Sequence, residues 1–190
     1  MNSIPTTRIN DFISLMTAFW YRDFPIAETH KPFGSRAEWT THIGICVRST
    51  ADLMGLFTHF ESGIRTDAIL RDNLGKDIAH IEWEWYQPSR PEVNEIKKLS
   101  LEKDKAEFSV FISYSRQDMQ EQNLESIKAQ WKNSRNPLIV FLVIFQRQGN
   151  SRTFKKLETY LVKNGKITRV RSQPALPWEV QGTRWESITK

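Results

Sequence analysis

The sequence predicts an α/β protein: a central mixed β-sheet flanked by helices, with a basic β-hairpin towards its C-terminal end. Three observations lead there. Residues 138–145, LIVFLVIF, are apolar at every position, which suits a central strand covered on both faces. Residues 78–86, IAHIEWEWY, alternate in character with the period of two that a strand imposes on its side chains. Residues 35–57 and 118–131 space apolar residues by three and four, the period of a helix packed along one side.

Composition narrows the class. A chain of 190 residues, 39% hydrophobic and 26% charged, is expected to form one soluble globular domain with a substantial core. The net charge of +5 and pI of about 9.4 point to a polyanionic partner. A lone cysteine, Cys46, excludes an internal disulfide and lies in an apolar run, so burial is expected rather than catalysis. No stretch approaches 18 apolar residues and no secretory pattern opens the chain. A cytoplasmic protein with no membrane partner is the expectation.

Taken in order, residues 1–33 read as an N-terminal appendage in which Asn10-Asp11 cap a short helix through Phe19-Trp20-Tyr21. Ser35 and Glu38 have capping-box spacing, and Trp39, Ile43, Val47, Leu53 and Leu56 supply the stripe of a helix over 35–57. Residues 49–51 are polar enough to divide it. Residues 66–70 and 78–86 are strands joined by a turn over 71–76, which carries Asp, Asn and Gly. A turn at 88–91 and a helix over 92–101 follow. Residues 106–115, AEFSVFISYS, are a strand by β-branched and aromatic content. VFISYSRQD also resembles the opening of a TIR domain, but too little chain follows Ser115 to complete one. Helix 118–131 carries Leu124, Ile127 and Trp131 on one side. The core of the domain is expected to span residues 35–145.

Residues 147–171 hold eight Lys or Arg against one acid, Glu158. Asn164-Gly165 is a preferred hairpin turn, so this segment reads as a basic ribbon. Lys155, Lys156, Lys163, Lys166, Arg169 and Arg171 are its candidate contacts to a nucleic-acid backbone. The alternative is a solvated ribbon whose lysines protect a sheet edge. The tail, 172–190, is expected to fold back through Trp178 and Trp185.

The chemistry concentrates in the first hairpin. A turn centred between Leu74 and Gly75 sets Asp67 opposite Glu82, and Glu84 follows on the same face as His80, Glu82 and Tyr86. His80 reads as a surface residue near the turn. Three converging carboxylates repel one another unless a cation lies among them, and hard oxygen donors suit Mg²⁺ or Mn²⁺. The competing reading is an ordinary hairpin with a solvated acidic face.

Asp67 in RTDAIL followed by Glu82-Trp83-Glu84 in HIEWEW resembles the core motif of the PD-(D/E)XK nuclease superfamily, over residues 37–145 in element order. No Pro precedes Asp67, and Glu84 stands in place of the motif Lys. The resemblance implies a restriction-endonuclease-like fold and Mg²⁺- or Mn²⁺-dependent hydrolysis of nucleic acid, DNA in particular. It implies that Asp67, Glu82 and the Trp83 carbonyl ligate the metal, and that Glu84 acts as a second ligand or as a base. It further implies a homodimer, and Lys97 or Lys98 as replacement for the motif Lys. A catalytically silent binding module of the same fold is the alternative.

Overall fold

The computed structural model describes residues 4–25, 35–62, 66–132, 134, 136–149 and 151–183. Seven strands form one sheet in the order in which they occur along the chain. They are β1 (Phe57–Ser62), β2 (Thr66–Arg71), β3 (Asp77–Trp83), β4 (Phe108–Arg116), β5 (Leu138–Gln148), β6 (Ser151–Lys163) and β7 (Lys166–Pro174). β3, β4 and β5 are parallel, and the outer pairings are antiparallel. The sheet is therefore mixed, as expected. The two parallel pairings need crossovers, and helices α3 (Glu95–Glu102) and α4 (Gln120–Gln130) provide them. Helices α1 (Ile4–Arg22) and α2 (Arg36–Leu53) cover the other face.

Strand β5 shows why this sandwich closes. Ile139, Phe141, Val143 and Phe145 enter the core beneath α1 and α2, whereas Leu138, Val140, Leu142 and Ile144 enter the core beneath α3 and α4. A strand apolar on both faces is stable only with helices on both sides, where burying each such side chain contributes about 1.5–3 kcal/mol. The β4 residues Phe108, Val110, Ile112 and Tyr114 join the first core.

The N-terminal segment is not an appendage. α1 runs without interruption through Asn10-Asp11, and Phe12, Met16 and Trp20, four residues apart, are almost completely buried. Phe12 meets Phe108 edge-on, and Trp20 stacks on Trp39 of α2 at 5.6 Å between centroids. α2 starts as its capping box demands: the Ser35 side chain accepts from the Glu38 amide, and the Glu38 carboxylate accepts from the Ser35 amide. It continues unbroken through residues 49–51 and stops at Leu53, leaving room for β1, which the sequence reading did not contain. The Asn164-Gly165 turn has both residues at positive φ (53° and 71°), as a type I′ hairpin requires. Trp178 packs edge-on against Phe24, while Trp185 lies outside the described residues.

Candidate active site

The β2–β3 pairing has the register expected from the turn. Ala68 lies opposite Ile81, which sets Asp67 and Glu82 one step further along on the same face. That face is not wet. β3 is an interior strand, and Glu82 is 0% exposed beneath α3. His80, two residue pairs nearer the turn, is also buried and holds Asp77 Oδ2 at 2.9 Å through Nε2, so it is no surface histidine.

Two acids meet at the site. Asp67 Oδ2 accepts from the Trp83 amide at 2.8 Å, which fixes its carboxylate at the end of the ladder. Glu82 has no hydrogen-bond donor for either oxygen while it is ionised. Burial, then the charge of Asp67, push its pKa up to about 8. Burial also raises Asp67, against the pull of the Trp83 amide. Burial and mutual repulsion thus favour one acid and one carboxylate in this pair over two carboxylates.

The cation that does approach comes from α3. Lys98 Nζ lies 3.6 Å from Glu82 Oε2 and 3.5 Å from Glu95 Oε1. Lys97, its neighbour, is exposed. Of the two candidate lysines the structure brings Lys98 to the acids, and it adds Glu95, which sequence reasoning missed. A signal was present. Glu95, Ile96 and Leu99 are all buried, and Lys98 is one turn from Glu95, so the apolar stripe of the helix carries both charges towards the sheet.

Glu84 does not belong to this cluster. The strand ends at Trp83, and the chain turns so that Glu84 Oε1 accepts from the Tyr86 amide at 3.0 Å and lies 3.5 Å from Arg36 Nη2 on α2. The expected convergence of three motif carboxylates is therefore replaced by Asp67, Glu82, Glu95 and Lys98. Trp83 contributes its amide to Asp67 and its ring to the core beneath α1 and α2. Among the described residues no group of three or more His, Cys, Asp or Glu is arranged to hold a metal ion. The two acids nevertheless fit a small, hard cation in donor chemistry. Glu82 offers two oxygens without a hydrogen bond, and Mg²⁺ commonly takes only one or two carboxylates and keeps water in its other positions.

The basic ribbon exists, but its charges do not share a face. Arg169 lies opposite Tyr160 and is 3.4 Å from the buried Glu158, which also accepts from Gln120, Ser172 and the Tyr160 hydroxyl. Arg171 turns the other way, towards Ser14 of α1 at 3.4 Å. Lys155, Lys156, Lys163 and Lys166 are exposed. Cys46 is fully buried, and burial raises its thiol pKa far above the usual range, which suppresses the reactive thiolate. No described helix is long and apolar enough to cross a membrane.

No protein-family profile and no curated protein matches the chain. Among solved structures it is similar to the YaeQ protein from Pseudomonas syringae, at 10% identity over 76% of this chain and 80% of that one, with a TM-score of 0.36. It is also similar to the YaeQ protein from Xanthomonas axonopodis pv. citri, at 12% identity over 63% of this chain and 70% of that one, with a TM-score of 0.27. Likeness at this level carries no argument about fold or function.

Proposed function

We propose that this protein is a metal-dependent phosphodiester hydrolase acting on nucleic acid, DNA in the first instance, in the manner that its resemblance to PD-(D/E)XK nucleases implies. The observation that carries the reading is Glu82, an acid buried without a hydrogen-bond partner beside Asp67 and within reach of the Lys98 ammonium. Packing an orphan carboxyl beside a second acid costs stability, and a site that binds a cation gives that cost a use.

Asp67 and Glu82 would hold Mg²⁺ or Mn²⁺. The ion would supply the positive charge that phosphodiester hydrolysis needs. Lys98, tied to Glu82 and Glu95, is placed to orient water or to offset charge on the phosphate, the task the motif Lys has in the resembled family. The Trp83 amide keeps Asp67 from rotating out of the site. Glu84 has no part in this scheme. The exposed lysines of the ribbon, Lys155, Lys156, Lys163 and Lys166, are left as contacts to the backbone of the substrate.

The complete covering of Glu82 favours a second reading, a silent binding module that keeps the acid pair in its proton-sharing form. Plasmid nicking by purified protein with Mg²⁺, Mn²⁺ or EDTA separates the two. Hydrolysis should require the metal, vanish in Glu82→Gln and Asp67→Asn, and fall by about 100-fold in Lys98→Met. Glu84→Gln should stay within about tenfold of the parent. Oligonucleotide binding without metal-dependent cutting on any substrate form would select the binding module.

A further inference from the structure

The parallel strands β3, β4 and β5 end on the same side of the sheet, which is where α/β proteins place ligands. Five arginines gather around this end. Arg152 opens β6 and lies directly opposite Arg147 of β5 in the ladder. Like charges so paired destabilise a sheet. Arg90 comes from the loop after β3, with its guanidinium 5.0 Å from the Tyr86 ring centroid, and Arg36 approaches the same ring at 5.2 Å.

Arg152 is the unusual member. Its guanidinium is half-buried, 4.2 Å from the Trp85 ring centroid, 4.7 Å from Phe145 and 5.9 Å from Tyr114. Among the described residues its one protein acceptor is the Trp85 carbonyl at 3.2 Å, and no carboxylate pairs with it. A guanidinium carries five N–H donors, so most of its capacity is unspent. Burial depresses its pKa, and Arg90 and Arg147 push in the same direction against the field of Tyr114. The pairings of the neighbouring cations are long, and Arg36 has Glu84 at 3.5 Å. Arg147 donates Nε to the Gly149 carbonyl, and Arg90 has only the exposed Glu92 at 3.4 Å. Arg116, at the end of β4, is different, because Asp118 grips it in a bidentate pair.

The mounting is firm. The buried Asn123 of α4 accepts from the Ser89 amide at 3.0 Å and donates to Gln87 at 3.1 Å and Ser115 at 2.8 Å, which fastens the loop that bears Arg90. Three aromatic rings surround the Arg152 guanidinium. Such an arrangement is costly alone and becomes favourable when an anion takes the free donors.

We propose that Arg152, with Arg147 across the ladder and Arg90 from the loop, forms a phosphate-binding subsite at the carboxyl end of the parallel strands. It takes a backbone phosphate of the nucleic acid and is the primary grip on that polymer, ahead of the β6–β7 ribbon. The identity of the polymer rests on the proposed function; the affinity for a phosphate group does not.

The test is fluorescence anisotropy of labelled single- and double-stranded oligonucleotides, read at several salt concentrations. It runs beside thermal shift with inorganic phosphate and pyrophosphate. Arg152→Met, which keeps an apolar stem among the rings, should weaken oligonucleotide binding about tenfold and reduce the salt slope by about one. Arg147→Gln changes an exposed residue, so it tests the site without disturbing the aromatic packing, and it should weaken binding in the same direction. Wild-type binding by both variants would overturn the proposal. Phosphate or pyrophosphate raising the Tm of the parent but not of Arg152→Met, with no oligonucleotide binding, would support the subsite and sink the nuclease reading. No response of the parent to phosphate, pyrophosphate or oligonucleotide would sink both.

Discussion

Glu82 occupies a position where its charged form is costly, and the cost has a sign that can be worked out. Its folded pKa is about 8 against an ordinary value of 4.5. Between those values the folded chain keeps a proton that the unfolded chain has lost, so stability must fall as pH rises. The contribution is fully present below about pH 4.5 and gone above about pH 8. Asp67 shifts in the same direction, and so does Lys98, where burial is outweighed by the charges of Glu82 and Glu95. Thermal melts from pH 4 to pH 9 should show Tm declining across this window in the parent. Glu82→Gln should flatten the decline and exceed the parent by several degrees at pH 9. At pH 8, millimolar Mg²⁺ should raise the Tm of the parent and leave Glu82→Gln unmoved, because the ion stabilises only a fold that binds it. A parent curve flat from pH 5 to pH 8 would mean that Glu82 titrates as an ordinary surface acid.

The same residue shows how far single positions were readable. Asp67 and Glu82 could be placed together because turn chemistry and strand period are local and regular. Glu84 could not be placed, because the strand ends at Trp83 and its carboxylate finds the Tyr86 amide and Arg36 instead. Nothing in the alternation of HIEWEWY marks that end. Lys98 and Glu95 needed one fact absent from their own helix, namely which strand it covers.

Among the secondary-structure elements, the cap and the tight turn make the sharpest claims. Ser35→Ala removes the side-chain half of the capping box and should cost about 1 kcal/mol in chemical denaturation. Gly165 sits at a φ of 71° with open space around it, so an added methyl meets no neighbour and the penalty is one of backbone alone. Gly165→Ala should destabilise by about 1 kcal/mol, and a neutral result would show that the ribbon tip relaxes freely. Both features were legible because each is set by a few adjacent residues. β1 was not. Its burial alternates poorly, Phe57 and Phe60 are exposed, and its place at the sheet edge is decided by pairing with β2. α1 was misjudged for a related reason. Phe12, Met16 and Trp20 form a clean stripe, but the partners that give the stripe meaning lie in β4, β5 and α2.

Across the whole molecule, α1 is fastened to the end of β7. Trp20 Nε1 donates to the Ala175 carbonyl at 2.9 Å, and the Tyr21 hydroxyl donates to the Pro174 carbonyl at 2.6 Å. Ala175 and Leu176 are buried in the same core as Phe12 and Trp39. Trp20→Ala should cost about 3–5 kcal/mol, since it opens a large cavity and leaves a carbonyl without its donor. Removing the chain after Ser172 should produce a comparable loss of unfolding free energy, and full stability of that truncated protein would show the clasp to be incidental.

That clasp also sets a schedule for biosynthesis. Strands laid down in sheet order can pair with their predecessors as they emerge, but α1, made before all seven strands, gains its last partners only when residues 174–176 appear. At ribosomal speeds of about 5–20 residues per second, the apolar stripe of α1 waits about 10–30 s for the last of its cover. During that interval the Trp20 and Tyr21 end of the stripe lacks the carbonyls of Pro174 and Ala175 and stays open to any holdase or neighbouring chain.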